Sequence, residues 1–475
     1  MNFFHRHHLI GLSKHPSLKH STVCHNLNQS LASIAVPLDT HFLKNPHSSS
    51  SAKAISIRLS TCANLQQLDQ IYACIIRTRM PEFCLAPFYW NNVLRLYTRL
   101  GDPVKVLRVY AFMPRAGVLP DSYTIPIVLK AACQLFAIDI GVQLHSVAIR
   151  IGLEADKYCE SGFISLYAKL GEIENAYKVF EKSPERKLSS WNAIIAGLRL
   201  GGRAKEVIKM FIQMRQWGFE PDDVTILCVT SACGSIGDLN LALQLHKYVF
   251  HARTLRKPDI LMLNSLIDMY GKCGRMDLAL RVFLEMTQKN VSSWTSMIVG
   301  YAMHGQANEA IECFHCMIKT GVRPNDVTFV GVLSACVHCG KVQEGRYYFD
   351  MMKSVYGIVP QMKHYGCIVD LLARVGLLEE ARELVEGMPM KANVIIWGSL
   401  MGACEKYGNV KMGEWVARNM LELEPWNDGV YVVLSNIYAS KGLWQEVEMM
   451  RKHWKQQNRA KIHAYSLATS SKGSP

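Results

Sequence analysis

The chain has 475 residues, enough for several globular domains or for one long repeat array. Its apolar fraction of 49% allows an extensive core, and no stretch is apolar and uncharged for long enough to predict a membrane-spanning helix. The 53 Lys and Arg residues exceed the 39 Asp and Glu residues by 14. This excess favours polyanionic partners, nucleic acid before an anionic membrane surface, with a merely solvated basic surface as the alternative.

Cysteine is abundant, with 15 residues, and most of them stand inside apolar helical patterns. The first residues lack the long apolar stretch of a secretory signal. We therefore expect reduced thiols that pack as small hydrophobic side chains in a reducing compartment.

Residues 1–51 differ in composition from the rest of the chain. They are rich in Ser and contain few acidic residues, the first being Asp39, and they hold 8 of the 17 histidines. This composition is typical of an organelle transit peptide, although Arg is scarce for a mitochondrial one. A His-rich metal-binding tract is the alternative.

A repeat begins after this segment. Four tryptophans stand in similar contexts, "YWNNVL", "SWNAII", "SWTSMI" and "IWGSLM", and are spaced by 101, 103 and 103 residues: Trp90, Trp191, Trp294 and Trp397. The first three lie at position 4 of 35-residue blocks, 87–121, 188–222 and 291–325, that end in Gly-x-x-Pro-Asp/Asn. Each block has Gly at position 15, and the same offset recurs in intervening blocks of about 31 to 37 residues.

Each block predicts two helices. In the first helix, apolar residues at positions 4, 7, 8 and 11 form one buried stripe, as in Trp294, Met297, Ile298 and Tyr301. The Gly at position 15 suits the left-handed residue that ends a helix. A second stripe follows, after which the proline closes the block. Because an isolated hairpin cannot bury both stripes, we expect stacked hairpins, with the four tryptophans as core residues.

Two polar residues recur in these blocks. Position 5, directly after the Trp, lies at the edge of the buried stripe, and the last residue of the 35-residue blocks is Asp or Asn. Helix capping explains such residues without any ligand. Their repetition favours a second interpretation, in which one pair per block reads one unpaired base and basic side chains hold the phosphates.

These blocks resemble pentatricopeptide repeats. "WNAIIAGLRLGGRAKEVIKMFIQMRQWGFEPD" is similar to the standard repeat, "NSLIDMYGKCGRMDLALRVFLEMTQKN" to the short variant, and "DVTFVGVLSACVHCGKVQEGRYYFDMMKSVYGIVP" to the long variant. The order resembles the plant PLS subclass over residues 52–393. The resemblance implies an all-α fold, a right-handed α-α superhelical solenoid.

The resemblance also implies base preferences. In this family, the residues at position 5 and at the end of the block together favour a base. Carried over, Asn91 with Asp121 and Asn192 with Asp222 favour U, Asn264 with Asn290 favours a pyrimidine, and Thr295 with Asn325 favours A.

Other blocks depart from the common pairs. Ser161 with Lys187, and Gly366 with Asn393, are assigned no base, although Ser161 remains a candidate base-binding residue. Apolar residues at position 5 of the long blocks imply weak selection there: Pro126, Leu227 and Val330. With the N-terminal end of the array on the RNA 5′ side, the expected site reads U-x-x-U-x-Y-A.

After residue 393 the chain resembles the E-type extension of this subclass, over residues 394–464, with a polar tail at 465–475. Relatives of this type specify C-to-U editing in organelle transcripts. The sequence has neither the His-x-Glu nor the Pro-Cys-x-x-Cys of zinc deaminases, so we expect no DYW deaminase domain. We therefore expect no catalytic residues, no cofactor and no metal. The expected partners are one organellar RNA and, through residues 394–464, a separate DYW-type deaminase with accessory editing factors.

We expect a monomer without membrane contact, in mitochondria or, as the alternative, chloroplasts. Transcript stabilisation, splicing or processing without editing is the second functional hypothesis, because "QQNRAKIHAYSLATSSKGSP" departs from the usual ending. A tetratricopeptide-like peptide scaffold is a third, less favoured because of the basic charge and the polar pairs.

One cysteine pattern could be mistaken for a metal site. Cys313-x-x-Cys316 and Cys336-x-x-Cys339 have the spacing of a four-cysteine zinc site. In the repeat register they fall on different helices, and Cys336 shares the inward-facing position 11 with Cys233 and Cys404. We predict packed thiols, with zinc as the alternative.

Overall fold

The computed structural model describes residues 49–78, 86–183, 185–252 and 258–457. Most of the predicted transit segment 1–51 and the whole tail 465–475 lie outside these residues. The described residues form an all-α fold of helical hairpins, as predicted. They divide into two compact units, residues 1–236 and 237–475. No helix in the described part of the chain is long and apolar enough to cross a membrane.

The first unit contains eleven α-helices within the described ranges. They are α1 (Ser49–Thr61), α2 (Leu65–Thr78), α3 (Pro87–Arg99), α4 (Pro103–Phe112), α5 (Thr124–Gln134), α6 (Ile138–Arg150), α7 (Lys157–Lys169), α8 (Ile173–Lys182), α9 (Leu188–Leu200), α10 (Ala204–Gln216) and α11 (Asp223–Ile236). A 3-10 turn, Met113–Ala116, extends α4. The first helices of successive blocks pack side by side in the order α3, α5, α7, α9, α11.

The second unit has the same construction. Its helices, among the described residues, are α12 (Leu239–Lys247), α13 (Ile260–Lys272), α14 (Met276–Glu285), α15 (Val291–Met303), α16 (Ala307–Lys319), α17 (Asp326–Cys339), α18 (Val342–Ser354), α19 (Met362–Val375), α20 (Leu378–Glu386), α21 (Val394–Tyr407), α22 (Val410–Leu423), α23 (Asp428–Ser440) and α24 (Trp444–Gln457). A π-helical segment, Tyr248–Ala252, follows α12. Here the first helices α13, α15, α17, α19, α21 and α23 pack in succession.

The four repeated tryptophans are core residues, as predicted, and each is at least 93% buried. Two blocks repeat the same edge-to-face contact between the Trp and a Phe of the preceding second helix. Phe180 and Trp191 have ring centroids 4.8 Å apart with an interplanar angle of 73°. Phe283 and Trp294 have the same separation and an angle of 75°. Because edge-to-face aromatic pairs are favourable beyond their buried area, the Trp joins consecutive hairpins.

The predicted left-handed residue is present at position 15. All nine glycines that the sequence places there have positive φ, between 62° and 87°: Gly101, Gly171, Gly202, Gly237, Gly274, Gly305, Gly340, Gly376 and Gly408. The block 122–156 has Phe136 at this position, and its φ is also positive, at 53°. The backbone turn therefore belongs to the repeat and occurs even where glycine is missing.

Candidate nucleic-acid interface

The first predicted pair, Asn91 and Asp121, is joined directly. Asn91 is buried on α3, and its Nδ2 lies 2.9 Å from Asp121 Oδ1 and 3.0 Å from Oδ2. The Thr124 hydroxyl lies 2.7 Å from Asn91 Oδ1 and 2.8 Å from Asp121 Oδ1. Since this hydroxyl carries one proton, it donates to one of these two oxygens at a time. The three side chains form a closed polar cluster at the junction of two blocks.

The second pair repeats this geometry about one hundred residues later. Asn192 Nδ2 donates to Asp222 Oδ2 at 2.7 Å, and the Thr225 hydroxyl donates to Asn192 Oδ1 at 2.5 Å. The Thr225 backbone N–H donates to Asp222 Oδ1 at 2.9 Å. The same residue types at the same offsets therefore build the same cluster twice in the first unit.

The pairs in the second unit are variations of this cluster. Asn264 Nδ2 donates to Asn290 Oδ1 at 3.2 Å. Thr295 is linked to Asn325 through a third side chain, since its hydroxyl lies 2.7 Å from the Thr328 hydroxyl, which donates to Asn325 Oδ1 at 2.8 Å. All four predicted pairs are thus brought together.

The last residue of each paired block also caps the next helix. Asn290 accepts the Ser293 backbone N–H at 3.0 Å, and Asn325 accepts that of Thr328 at 2.9 Å, both within capping boxes. The capping interpretation is therefore correct for these residues. Capping does not compete with pairing. Asn290 Oδ1 accepts from both the Ser293 backbone and Asn264, and Asn325 Oδ1 accepts from both the backbone and the hydroxyl of Thr328, which links it to Thr295.

Asp121 is held as a carboxylate. Burial opposes its charge, but the Thr124 backbone N–H, the Asn91 amide and the Thr124 hydroxyl donate to it, so that its pKa lies below its usual value. At neutral pH, Asp121 consequently offers acceptors only.

Ser161 and Lys187 form no such cluster. The Ser161 hydroxyl donates back to the Lys157 carbonyl at 2.9 Å. Lys187 precedes α9, but its side chain does not cap that helix. Ser190, at the third position of the block, is fully buried, and its hydroxyl has no hydrogen-bond partner. An ammonium group cannot replace the acceptor that Asp or Asn supplies elsewhere, so this block lacks the paired geometry.

Two sets of residues at this surface were missed from the sequence. The first is the Thr or Ser at the third position after a paired block, whose hydroxyl completes each cluster: Thr124, Thr225, Ser293 and Thr328. The spacing of Ser or Thr three residues after Asp or Asn was a signal that could have identified them. The second set is a large apolar side chain at position 2, exposed in seven blocks: Phe88, Tyr123, Tyr158, Val224, Leu261, Val327 and Ile395.

Position 2 lies next to the polar pair. Positions 2 and 5 are three residues apart on one helix and share a face. The Tyr123 backbone N–H also donates to Asp121 Oδ1 at 3.0 Å. Phe88 and Leu261 therefore border the clusters at Asn91 and Asn264, and Tyr123, at the start of the next block, borders the first cluster.

Basic residues end several first helices. In the first unit, Arg99 and Lys169 occupy position 13 of α3 and α7 and are exposed. In the second unit, Lys272, Arg374 and Lys406 occupy the same position. A basic group at the C-terminal end of a helix is favoured by the helix dipole, and an exposed one can also contact a phosphate.

The cysteine prediction is correct in part. At position 11, Cys233, Cys336 and Cys404 are fully buried. Cys316 and Cys339 are exposed, so the prediction of packed thiols was wrong for these two. Cys316 lies one residue before the inward-facing Met317 of α16, which turns it away from the core. Within the described residues, no group of three or more His, Cys, Asp or Glu side chains is placed to hold a metal ion.

Stacked helical hairpins, with a partly buried polar cluster at the junction between blocks, define an α-solenoid repeat protein. The family model described as PPR repeat matches six segments, 88–118, 161–188, 189–219, 261–291, 327–355 and 363–391. A second model, described as PPR repeat family, matches 289–338, and a model described as E motif matches 407–467.

Two plant proteins are similar in sequence to this chain over most of its length. A pentatricopeptide repeat-containing protein of Arabidopsis thaliana, named as mitochondrial, is 54% identical over 457 residues, which cover 95% of each chain. Another from the same plant, named as chloroplastic/mitochondrial, is 37% identical over 91% of this chain and 75% of its own length. The chain belongs to the pentatricopeptide repeat family and carries its E motif.

Solved structures show the same fold. The crystal structure of the maize pentatricopeptide repeat protein PPR10 in complex with an 18-nt psaJ RNA element matches with a TM-score of 0.59 and 16% identity. PPR10 without that RNA matches with a TM-score of 0.56. The chain spans 65% of the length of the PPR10 chain in the complex, and the match covers 86% of this chain.

Proposed function

We propose that this protein binds one single-stranded organellar RNA and reads its bases through the polar clusters. The observation that carries the proposal is the repeated junction cluster, in which a buried or half-buried position-5 side chain meets the last residue of its block. Membership of a family that includes PPR10, solved with RNA, supports it.

The clusters at Asn91 and Asn192 suit uracil. Asp121 offers only acceptors and needs a donor from the base, while the second amide proton of Asn91 needs an acceptor. Uracil provides both, through N3–H and its carbonyl oxygens. The N3 atom of cytosine is an acceptor, so the carboxylate opposes cytosine.

The clusters of the second unit suit other bases. Where Asn290 replaces Asp, the amide can donate as well as accept, so that either pyrimidine fits beside Asn264. At Thr295, the hydroxyl is engaged with Thr328, and the Asn325 amide is left to pair with the N1 and N6 groups of adenine.

The neighbouring residues supply the remaining contacts. The exposed position-2 side chains offer apolar faces on which bases stack. The basic residues at position 13 neutralise phosphates. In chain order, the clusters then read U-x-x-U-x-Y-A.

We further infer that the RNA is an editing substrate. The E motif supports a role in C-to-U editing, in which residues 394–464 recruit a separate DYW-type deaminase and its accessory factors. The name of the 54% identical relative supports mitochondria. We expect a monomer, organised as a transit segment 1–51, an array 52–393 and an extension 394–464.

A second function is favoured by one observation. The sequence that follows α24 departs from the usual ending of the extension, so binding without editing, for transcript stabilisation, processing or splicing, is the alternative. Comparing C-to-U conversion across organelle transcriptomes, with and without the protein, separates the two functions. A lost editing site supports editing, whereas altered transcript levels with intact editing support the alternative.

The base-reading proposal is tested at Asn192. We expect Asn192→Thr to weaken binding to an oligoribonucleotide carrying U-x-x-U-x-Y-A by roughly 1–3 kcal/mol and to relax selection at the second U only. Filter binding against oligonucleotides with each base at that position measures both effects. Leu227→Met, in the next block, is the control and should change neither. Unaltered selection for U in Asn192→Thr would show that the assigned register is wrong.

A further inference from the structure

Phe136 adopts a backbone conformation that its side chain opposes. It is the one residue other than glycine with positive φ in the described part of the chain, at 53°. The left-handed region brings Cβ close to the following carbonyl oxygen, which is why the equivalent residue in other blocks is glycine.

Burial does not compensate for this strain, because Phe136 is 68% exposed. The equivalent glycines of the preceding and following blocks show that a side chain at this position points into open space. A Cβ added to Gly101 or Gly171 would meet no atom within 4 Å. An exposed aromatic residue in a strained conformation is unfavourable for folding alone, and such residues concentrate at binding sites.

The surroundings of Phe136 are those of a nucleic-acid-binding surface. Helices α3, α5 and α7 pack side by side, so that their C-terminal ends follow one another along one edge. Arg99 ends α3, Lys169 ends α7, and Phe136 follows the end of α5 between them. An aromatic ring between two exposed cations is the combination with which proteins hold single-stranded nucleic acid.

The block that contains Phe136 lacks a base-reading cluster. Pro126 stands at position 5, where it offers no side-chain hydrogen bond to a base. The nucleotide opposite this block is therefore not fixed by a polar pair, and its base can turn towards the edge that carries the cations.

We propose that Phe136 stacks on the base of this nucleotide, the first unread position of U-x-x-U-x-Y-A. The contact rests on the RNA binding proposed above and explains why a strained aromatic residue replaces glycine here. It is independent of base identity, because every base offers an aromatic face.

The test compares Phe136→Gly, Phe136→Tyr and wild type. The probe is an oligoribonucleotide of the stated pattern with 2-aminopurine at the first unread position. Phe136→Gly should weaken binding by about 5-fold to 100-fold, the range that loss of one stacked base produces, and should restore the fluorescence that stacking quenches. Phe136→Tyr should retain both affinity and quenching. Tyr347→Ala, which removes an exposed aromatic ring from a second helix, is the matched control and should bind as wild type does.

Two further measurements make the outcome decisive. Thermal unfolding in the absence of RNA should show a higher midpoint for Phe136→Gly than for wild type, because glycine removes the backbone strain of the left-handed conformation. An abasic nucleotide at the probe position should make wild type and Phe136→Gly bind equally. The stacking contact would be overturned if wild type and Phe136→Gly bound the intact probe equally well, or if Phe136→Gly had the lower unfolding midpoint. Failure of wild type to prefer the oligonucleotide over its scramble would instead overturn the proposed function.

Discussion

At the scale of single residues, the main finding is that Asp222 and its equivalents have two roles. Asp222 accepts from Asn192 in its own block and from the Thr225 backbone of the next helix. The sequence alone presented capping and base reading as rivals, because both predict a short polar residue at the end of the block. The three-dimensional junction shows that one side chain caps the helix while it is paired with the residue at position 5, so capping does not exclude the base reading proposed above.

The two roles of Asp222 can be separated by substitution. Asp222→Asn keeps a capping oxygen, so we expect the free energy of unfolding to stay within roughly 0.5 kcal/mol while selection for U broadens to either pyrimidine. Asp222→Ala removes the cap and should lower the free energy of unfolding by about 1 kcal/mol. Chemical denaturation and filter binding measure the two effects. If Asp222→Asn loses as much stability as Asp222→Ala, the carboxylate charge matters to the fold.

His364 makes folding stability depend on pH. It is fully buried, its Nδ1 accepts the Gln361 backbone N–H at 2.9 Å, and its Nε2 lies 2.8 Å from the Asp326 carbonyl oxygen. Burial lowers the pKa of His364 below 6.5, aided by the nearby Lys363 charge and opposed by Asp326. The neutral form is therefore the one that fits the fold. Its contribution is complete above about pH 6.5 and is lost as pH falls, because the unfolded chain then binds the proton more readily.

We expect His364→Thr to reduce this pH dependence. Thr occupies the corresponding place in α17, where Thr328 accepts the Asn325 backbone N–H. The variant should be less stable than wild type at about pH 7.5 but should lose less stability between about pH 7.5 and about pH 5.5. Burial lowers the pKa of His145 and His338 as well, so part of the dependence should remain. If wild type and variant lost the same stability over this pH range, His364 would be excluded as a source of the pH dependence.

At the scale of the helical elements, the sequence predicted the hairpins because their apolar stripes recur in register many times. It did not predict which side chains beyond those stripes are exposed. Cys316 and Met317 are adjacent, yet one is exposed and the other fully buried, because the next helix covers only one side of α16. The exposure of Phe136 could not be predicted for a related reason. An apolar residue in a turn is expected to be buried unless the positions of the neighbouring helices are known.

The turn at position 15 can be tested with two opposite substitutions. Gly305 has φ of 71°, so Gly305→Ala should lower the free energy of unfolding by about 1–2 kcal/mol, although the added methyl group meets no atom within 4 Å. Gly398 lies inside α21, where an added Cβ also meets no atom. Gly398→Ala should therefore raise the free energy of unfolding by roughly 0.5–1 kcal/mol. Urea denaturation of both variants measures these changes, and equal signs would contradict the assignment of the turn.

At the scale of the whole molecule, the excess of 14 positive charges leads us to expect that the proposed affinity for RNA depends on salt concentration. Composition predicted a polyanionic partner without showing where the cations lie. The structure places exposed ones, such as Lys169, at the ends of first helices.

We expect Lys169→Gln to reduce the slope of log affinity against log salt concentration by about 0.7, the contribution of one phosphate contact on a single strand. Lys178→Gln, on the second helix of the same block, is the matched control and should leave the slope unchanged. Binding titrations over a range of KCl concentrations measure the slope. Equal slopes for both variants would mean that the ends of the first helices do not contact the phosphates.

The two roles of the last residue of each paired block have a consequence for how such a chain changes over generations. Asp and Asn both begin a helix well, so under the proposed base reading an exchange between them would alter the preferred nucleotide while the fold persists. Lys187 shows the limit of such exchanges. Where Lys stands in place of Asp or Asn, the buried Ser190 hydroxyl has no hydrogen-bond partner. Under the proposed base reading, single substitutions that leave the fold intact would therefore give access to new targets.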